Sequence, residues 1–440
     1  MPGSGVPQRG YFLSGGAWTL GCRVGSAIFV LVTQALLARF LHPEQYGVYE
    51  VLTSIVAVAA FAGQLGLNYA VVRMVSTALA REAPGEAGGT IMVALVLVGA
   101  SGLGIMALTV WPLGPWVARF VIHQELTWTA AVLIGAWIML AGCQGIVAES
   151  FRGLHRIKAA AVTGGFLSSA LFMLVLTVAW LGAATMTVAG AVMLMVACVA
   201  VVLAVTGLAL ARTLKSLPAF RYPRPRSLLL IAWPAWVTGI TLIATRHADL
   251  WALSAVSGPG EVALYGAGSR LADLVSFPLM VVNAVIAPTI ARVHSLGEQG
   301  RLEALMRTAA MVASVPALLL LVAFAAGPDS ILEALYGPFY GAGALVLVAI
   351  GTANLVNAAT GPCTLALLMT GHQIVAMAIT LAAALLIVAG ALVVGGRYGA
   401  NGVALVSAAV ISIQNLVTLL AARKCLGVWT GIGYRRRVAS

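Results

Sequence analysis

The chain has 440 residues, of which 61% are hydrophobic and only 9% are charged. Soluble domains carry about 25% charged residues, so this composition excludes an ordinary water-soluble protein and indicates an integral membrane protein. The formal net charge of +12 would suit nucleic acid. The positive residues cluster in short loops, however, where membrane topology explains them better, and no nucleic-acid partner is predicted.

Apolar runs long enough to cross a bilayer follow one another along the chain, since a hydrocarbon core takes about 20 residues of helix. Strands of a membrane barrel would be about ten residues long and would alternate in polarity. The first run carries Arg23 and ends at Arg39, which argues against a cleaved signal peptide. The sequence predicts an all-α integral membrane protein with about twelve transmembrane helices, at residues 12–38, 46–72, 90–111, 127–148, 159–181, 187–211, 228–254, 263–291, 308–327, 344–369, 374–395 and 400–422.

Lys and Arg are concentrated at the two ends of the chain and in the connections after the second, fourth, sixth and eighth predicted spans. The opposite side holds Arg39, Arg119 and Arg397. The positive-inside rule therefore predicts a multi-pass protein with both termini in the cytoplasm.

The polar break between the first two spans returns in the second half of the chain. Tyr46-Gly47 closes the break at 39–47, which is predicted to be a turn because Pro43 cannot lie in the middle of a helix and Gly47 is expected to help the chain reverse. Tyr265-Gly266 follows a similar break at 258–266, and at the same separation Arg73 aligns with Arg292. This pattern predicts two six-helix bundles related by a parallel pseudo-repeat.

The predicted organisation is an N-terminal bundle at 1–211, a basic cytoplasmic linker at 212–227, a C-terminal bundle at 228–422 and a basic cytoplasmic tail at 423–440. Parallel repeats of this kind are typical of transporters, which place the substrate site between the halves.

The segment "LLARFLHPEQYGVYEVLTSIVAVAAFAGQLGLNYAVVR" resembles the opening of the oligosaccharide and polysaccharide flippases. These are the Wzx-type transporters of the multidrug/oligosaccharidyl-lipid/polysaccharide exporter superfamily. "LLLIAWPAW" in the seventh predicted span and the pair Pro278 and Pro288 in the eighth are also similar. Length, span number and the two-half plan fit the same family.

The resemblance implies a fold of two six-helix bundles that form a V. It also implies alternating access that moves an undecaprenyl-diphosphate-linked oligosaccharide from the inner to the outer leaflet, for lipopolysaccharide or exopolysaccharide assembly. Glycosyltransferases, a glycan polymerase and membrane lipids are the implied partners. A Na⁺ or H⁺ gradient acting through Asp249 or Asp273 is left open by the sequence.

Ionisable residues inside a span are costly, so each one is a candidate functional residue. Arg23 lies near the middle of the first span. It either meets an anionic diphosphate in a water-filled cavity or pairs with an acid on another helix. Two pairs three residues apart, Arg246 with Asp249 and Arg270 with Asp273, share helix faces in the predicted hairpin. The two pairs either form a salt-bridge network that holds the hairpin together or line a cavity and form an outer gate.

Gln64 and Asn68 are four residues apart and are expected to share one face of the second span, and Asn283 aligns with Gln64 in the repeat. They either hold helices together or line a sugar path. The five cysteines have no metal or disulfide spacing and are interpreted as small apolar residues. No Walker loop, metal-ligand cluster or nucleophile constellation occurs, so no cofactor, metal site or enzymatic activity is predicted. A multidrug or cation exporter of the same superfamily, and a membrane glycan polymerase, are the alternatives.

Overall fold

A computed structural model describes residues 9–112, 114, 116, 127–182 and 185–432, with side chains from Trp18 onward except that of Pro288. The regular structure in these residues is helical, and none of them belongs to a strand. The predicted all-α class is confirmed. Arg119 and the tail residues from 433 onward, including Arg435 to Arg437, lie outside the described residues.

Contacts within the chain define two compact units whose boundary in sequence falls between Ala244 and Thr245. The first unit includes the helix that follows the basic linker. Its Trp236 Nε1 donates a hydrogen bond to the Ala62 carbonyl oxygen at 2.9 Å, which ties that helix to the second predicted span. The division of the repeat at the linker 212–227 remains a prediction.

The N-terminal unit has its core around α5, which packs against α2, α3, α4 and α7, while α1 packs on α6. Fully buried Val71, Ile91 and Ile146 lie in that core. Its helices are α1 (Arg9–Phe40), α2 (Pro43–Gly63), α3 (Leu67–Ala80), α4 (Pro84–Val110), α5 (Trp128–Gly153), α6 (Ile157–Leu181), α7 (Val188–Lys215) and α8 (Pro225–Thr245).

The C-terminal unit is organised around two long helices. α10 packs against α11 and α13, and α15 packs against α9, α13 and α14. The elements are α9 (Ala248–Val256), α10 (Pro259–Ser295), α11 (Gln299–Ala325), α12 (Pro328–Tyr336), a 3₁₀ helix (Pro338–Gly343), α13 (Ala344–Thr360), α14 (Cys363–Met369) and α15 (Gln373–Leu426).

Eleven helices in the described part of the chain are long and apolar enough to cross a membrane. One of them, α15, has 54 residues and contains both of the last two predicted spans. Gly399 interrupts its helical geometry with φ 56° and ψ −145°. The Glu261 carboxylate accepts a hydrogen bond from the Ala400 amide at 2.6 Å, which satisfies the backbone at this kink.

Large apolar side chains cover the outer surfaces of both units. Val96 and Leu103 of α4, Leu319 of α11 and Leu385 of α15 are each more than half exposed. Exposed apolar surface on this scale suits contact with lipid tails and not with water. The molecule is therefore a multi-pass membrane protein.

Several predicted spans are interrupted, which corrects the sequence interpretation. The predicted span 46–72 breaks after Gly63, because Leu65 (φ 52°) and Gly66 (φ 71°) adopt left-handed conformations that cannot continue a helix. Gln64 is the C-terminal cap of α2 and Asn68 lies in α3. The expectation that they share one face of a continuous helix was wrong.

The predicted span 228–254 is also divided, with Arg246 and His247 in a turn between α8 and α9. Arg246 and Asp249 are therefore not on one helix face as expected. The predicted span 344–369 breaks at Gly361, whose φ of 76° ends α13 before α14 begins. These breaks carry Gly, Arg or His within otherwise apolar runs, and apolar run length alone did not reveal them.

The two elbows, 39–47 and 258–266, have similar local structures. α2 and α10 each begin with a proline, Pro43 and Pro259, at a position where the missing N–H costs nothing. Gly47 lies inside α2, so the expected role of this glycine in reversing the chain was wrong. The turn consists of Leu41 and His42 alone.

Candidate functional site

The four charged residues of the predicted hairpin, Arg246, Asp249, Arg270 and Asp273, interact electrostatically with one another in the C-terminal unit. Asp273 interacts with Arg246 and Arg270, and Asp249 interacts with Asp273. Arg246 comes from the turn before α9, Asp249 from the first turn of α9, and the other two from α10. The structure thus brings these predicted residues together, although from three different elements.

Asp249 is held by hydrogen bonds that fix its position. Its Oδ2 accepts the Tyr265 hydroxyl at 2.5 Å, and its Oδ1 accepts the backbone N–H of Leu250 at 2.8 Å. Ser407 Oγ of α15 lies 3.4 Å from the same tyrosine hydroxyl and is fully buried. An acid in the first turn of a helix is also stabilised by the helix dipole. Asp249 therefore links α9, α10 and α15.

Asp273 differs because it is exposed on the surface of its unit, as is Arg246. The Asn354 side chain of α13 hydrogen-bonds Asp273 and donates to the Ala272 carbonyl oxygen at 3.0 Å. An exposed carboxylate in the middle of a long apolar helix cannot face lipid tails without a large cost. This face of α10 therefore suits a water-filled space.

Arg23 is exposed on α1 of the N-terminal unit, next to the buried Cys22. Two residues further along, Gly25 lets the Phe166 ring approach α1 closely, and Phe166 also packs against Phe29 at 5.3 Å between ring centroids. Within the described residues, Arg23 forms no hydrogen bond or ion pair. Packing thus fixes the helix while the guanidinium remains available to a ligand.

The three predicted amides are placed separately. Gln64 packs against Gly145 of α5, where a side chain in place of the glycine would lie 2.6 Å from its Nε2. The Asn68 Oδ1 and Asn283 Oδ1 atoms are buried and have no hydrogen-bond partner in the described structure. Such atoms are rare because an unpaired buried acceptor costs free energy, and they often indicate an absent ligand or water.

Glu50 of α2 is a buried carboxylate that the sequence pattern did not reveal. It is 1% exposed, and its Oε1 accepts hydrogen bonds from Gln34 Nε2 at 2.5 Å and from the Tyr46 hydroxyl at 3.1 Å. Tyr46 and Glu50 are one helical turn apart, which is a signal that spacing could have provided. Glu50 lies near a predicted span end, where an ionisable residue is a weaker signal of function than one in the middle of a span.

Solved membrane transporters share this arrangement of helices. An "Inward-facing conformation of a multidrug resistance MATE family transporter of the MOP superfamily" aligns with a TM-score of 0.75 and 15% identity, covering 91% of this chain and 94% of that chain. "Lipid II flippase MurJ, inward closed conformation" aligns with a TM-score of 0.69 and 11% identity, covering 91% and 86%. A MOP superfamily transporter from Pyrococcus furiosus aligns with a TM-score of 0.62 and 13% identity, covering 95% of each chain.

At these identities the alignments show the fold alone, which is that of the MOP superfamily transporters. The family model described as "Polysaccharide biosynthesis protein" matches residues 12–294. The chain belongs to this family, and the resemblance seen in the sequence is confirmed. No curated protein matches the chain by sequence.

Proposed function

We propose that the protein is a flippase that moves a lipid-diphosphate-linked oligosaccharide from the inner to the outer leaflet of the bacterial inner membrane by alternating access. The family match supports a role in polysaccharide biosynthesis, and a lipid II flippase has the same fold. Undecaprenyl diphosphate is the proposed carrier. The glycosyltransferases that build the oligosaccharide and the polymerase that extends it are the proposed partners, with lipopolysaccharide or exopolysaccharide as the product.

Arg23 carries this proposal. An arginine inside a span costs roughly 2.5–3.5 kcal/mol on insertion scales, so its exposure without a partner among the described residues needs compensation by something else. A diphosphate supplies that compensation, because a guanidinium donates two parallel hydrogen bonds to phosphate oxygens. A neutral sugar or an apolar drug would leave the charge unpaired.

The exposed face of α10 supports the same substrate class in the second unit. The cluster holds two arginines, Arg246 and Arg270, and two acids, but Asp249 is engaged by the Tyr265 hydroxyl and the Leu250 N–H, so Asp273 is the acid that interacts with the arginines. A mixed cluster of this kind can present its arginines to an anion in one state and hold them against Asp273 in another. Ion pairs in a partly hydrated environment exchange partners more cheaply than an apolar core comes apart.

Transport of a labelled substrate in proteoliposomes tests the proposal. A diphosphate-linked oligosaccharide with a fluorescent sugar is placed in both leaflets, and an impermeant quencher reports the outer fraction. The wild-type protein is expected to make the inner pool accessible. Arg23→Gln is expected to abolish this, and Arg23→Lys to retain part of it, because a point charge replaces the bidentate fork.

The matched control is Arg301→Gln. Arg301 is an exposed residue that pairs with Glu298 at 3.0 Å outside the clusters described above, and it is expected to leave transport unchanged. All variants are reconstituted in equal amounts, and a melting temperature equal to that of the wild type shows that a variant is folded. Full transport by Arg23→Gln would remove this residue from the mechanism, and no transport of diphosphate-linked sugars by the wild type would refute the flippase proposal.

A cation exporter is the second candidate, because Glu50 and Asp249 are acids held in the interior of their units. Acids of this kind suit organic cations, Na⁺ or H⁺. Uptake of a fluorescent cation by the same proteoliposomes, dependent on Glu50 and Asp249 and independent of Arg23, would favour this candidate.

A further inference from the structure

A second positively charged site lies at one end of the N-terminal unit, away from Arg23. It is a pocket of about 470 Å³ between the end of α3, the start of α4, the linker before α8 and the first turns of α8. Three arginines line it, Arg73 and Arg81 from α3 and its C-terminal cap and Arg221 from the linker, together with one acid, Glu86. Neither the family match nor the flippase proposal gives this pocket a role.

The linker wall of the pocket is built into the fold. Arg221 donates its backbone N–H to the Gly85 carbonyl oxygen at 3.0 Å. A side chain at Gly89 would overlap the Arg221 carbonyl oxygen, so only glycine lets the linker lie on α4. The Phe220 ring sits over Gly88 and meets Tyr222 edge-on at 6.3 Å. The linker segment 219–222 is thus docked on the start of α4, which fixes the position of Arg221.

The arginines in the pocket are available to a ligand. In the part of the chain that the structure describes, no ion pair joins Arg73, Arg81 or Arg221 to a carboxylate. The hydroxyls of Thr77 and Thr90 donate to carbonyl oxygens of their own helices at 2.8 Å, so they are not donors to a ligand. Three guanidinium groups against one carboxylate leave a net positive site suited to an anion with several oxygens.

The pocket also has an apolar side. Met74 and Ile231 line it. Leu230 and Trp233, close to Ile231 in α8, are exposed apolar side chains. Since α4 and α8 begin their apolar segments here, the pocket lies at the level where lipid headgroups meet lipid tails. An amphiphile would place its charged group among the arginines and its tail along α8.

We infer that this pocket binds the phosphate-bearing headgroup of a membrane lipid, with Arg73, Arg81 and Arg221 holding the phosphate oxygens and Ile231 contacting the first part of the tail. The chemistry is shared by an anionic phospholipid and a polyprenyl diphosphate. The inference does not depend on the proposed flippase function, because a lipid can bind here whether or not it is transported.

Lipid binding to the full-length protein in phosphatidylcholine nanodiscs tests the inference. The probe is fluorescent phosphatidylglycerol. Undecaprenyl diphosphate and inorganic diphosphate are added separately as unlabelled competitors. Each single variant, Arg73→Gln, Arg81→Gln and Arg221→Gln, is expected to weaken phosphatidylglycerol binding about tenfold, since a hydrogen bond to a charged group is worth that much. Arg212→Gln, an exposed arginine of α7 outside the pocket, is the matched control and should bind as the wild type does.

Gly89→Ala provides a variant that changes no charge. Its new methyl group would displace the Arg221 backbone, so it is expected to weaken binding as the arginine variants do. The arginine variants keep the inference testable if Gly89→Ala does not fold.

The competitors separate the sources of the phosphate. A lipid site is supported if undecaprenyl diphosphate competes with phosphatidylglycerol and inorganic diphosphate competes at least about 100-fold more weakly. Inorganic diphosphate lacks the tail, and so it loses the apolar contacts along α8. Equal competition by inorganic diphosphate would overturn it in favour of a free-phosphate site. Unchanged phosphatidylglycerol binding in all three arginine variants would also overturn it. Transport is not measured in this assay, so its failure and that of the flippase proposal are distinguishable.

Discussion

The second helix of each repeat is built differently in the two units. In the N-terminal unit it is broken into α2 and α3, of 21 and 14 residues, at Leu65 and Gly66. In the C-terminal unit the corresponding helix, α10, is continuous for 37 residues even though it contains Pro278. The break in the first unit is stabilised because Gly66 packs directly on α8, where Ala232 and Trp236 leave no space for a side chain.

The buried tyrosines at the start of these helices show the same difference in detail. Tyr46 and Tyr265 are both almost completely buried, and both donate a hydrogen bond to a carboxylate. The acceptor of Tyr46 is Glu50 on its own helix, whereas the acceptor of Tyr265 is Asp249 on the preceding element α9. The repeat thus preserves the tyrosine and the presence of an acid but not the segment that supplies the acid.

Tyr46 forms its hydrogen bond within one helix, whereas Tyr265 forms a hydrogen bond that joins two helices. The Tyr46–Glu50 pair lies within α2, and Gln34 then connects that pair to α1. The Tyr265–Asp249 pair itself joins α9 to α10 and approaches α15 through Ser407. Substitutions at matched positions should therefore have unequal effects on the two units.

The largest expected effect comes from Glu50→Leu. Removing this carboxylate breaks the hydrogen bonds from the Gln34 amide and the Tyr46 hydroxyl in a buried site, which should cost about 3–5 kcal/mol of unfolding free energy. Glu50→Gln keeps an acceptor oxygen and is expected to cost less than half as much. Thermal melting of the detergent-solubilised protein measures both, and equal melting temperatures for Glu50→Leu and wild type would show that this cluster is not structural.

Gly66→Ala is expected to have the next largest effect. Alanine in a left-handed conformation costs roughly 1–2 kcal/mol, and its methyl group would also overlap the Ala232 carbonyl oxygen of α8. We expect a total of about 3 kcal/mol and a visible loss of melting temperature. The control is Gly104→Ala in α4, where a side chain meets nothing within 4 Å and helix propensity favours alanine. A neutral Gly66→Ala would mean that α2 and α3 can join into a helix like α10.

The two tyrosine-to-phenylalanine substitutions sharpen the comparison directly. Tyr265→Phe removes a bond between two helices and leaves Asp249 with the Leu250 N–H, so it should cost about 2 kcal/mol. Tyr46→Phe leaves Glu50 bonded to Gln34 and should cost about 1 kcal/mol. The double variant should be additive, because the two sites share no partner. Equal losses of unfolding free energy in Tyr265→Phe and Tyr46→Phe would contradict the distinction between a bond that joins two helices and a bond within one helix.

The sequence predicted the helical class, the positions of most spans and the equivalence of the elbows, because these follow from run length and from Pro-Glu and Tyr-Gly signals. It did not predict the breaks at Gly66 and at Arg246, since apolar composition continues through both. A left-handed glycine is dictated by the helix that packs on it, and that neighbour is far away in sequence. The same limit explains why Glu50 was missed, because its importance comes from Gln34 on another helix.

The electrostatic cluster of the C-terminal unit was predicted for the right residues but with one wrong geometric reason. Arg246 and Asp249 are neighbours through a turn rather than along a helix face. Charge in an apolar run is a strong signal that a residue matters, whereas the element that carries it depends on backbone conformation. Whether the cluster acts as gate, substrate site or structural network stays a prediction.

The smallest expected effect on stability concerns Asn68→Ala and Asn283→Ala. The Oδ1 atoms of both residues are buried without a partner in the described structure, so removing them loses no protein hydrogen bond. We expect changes within about 0.5 kcal/mol, measured as melting temperature against the wild type. If these amides instead hold helices together, as polar residues in spans often do, each variant should destabilise by about 1 kcal/mol. A loss of labelled-oligosaccharide transport by either variant at unchanged melting temperature would assign that amide to the sugar path, and the difference between Asn68 and Asn283 would show which unit contributes more to it.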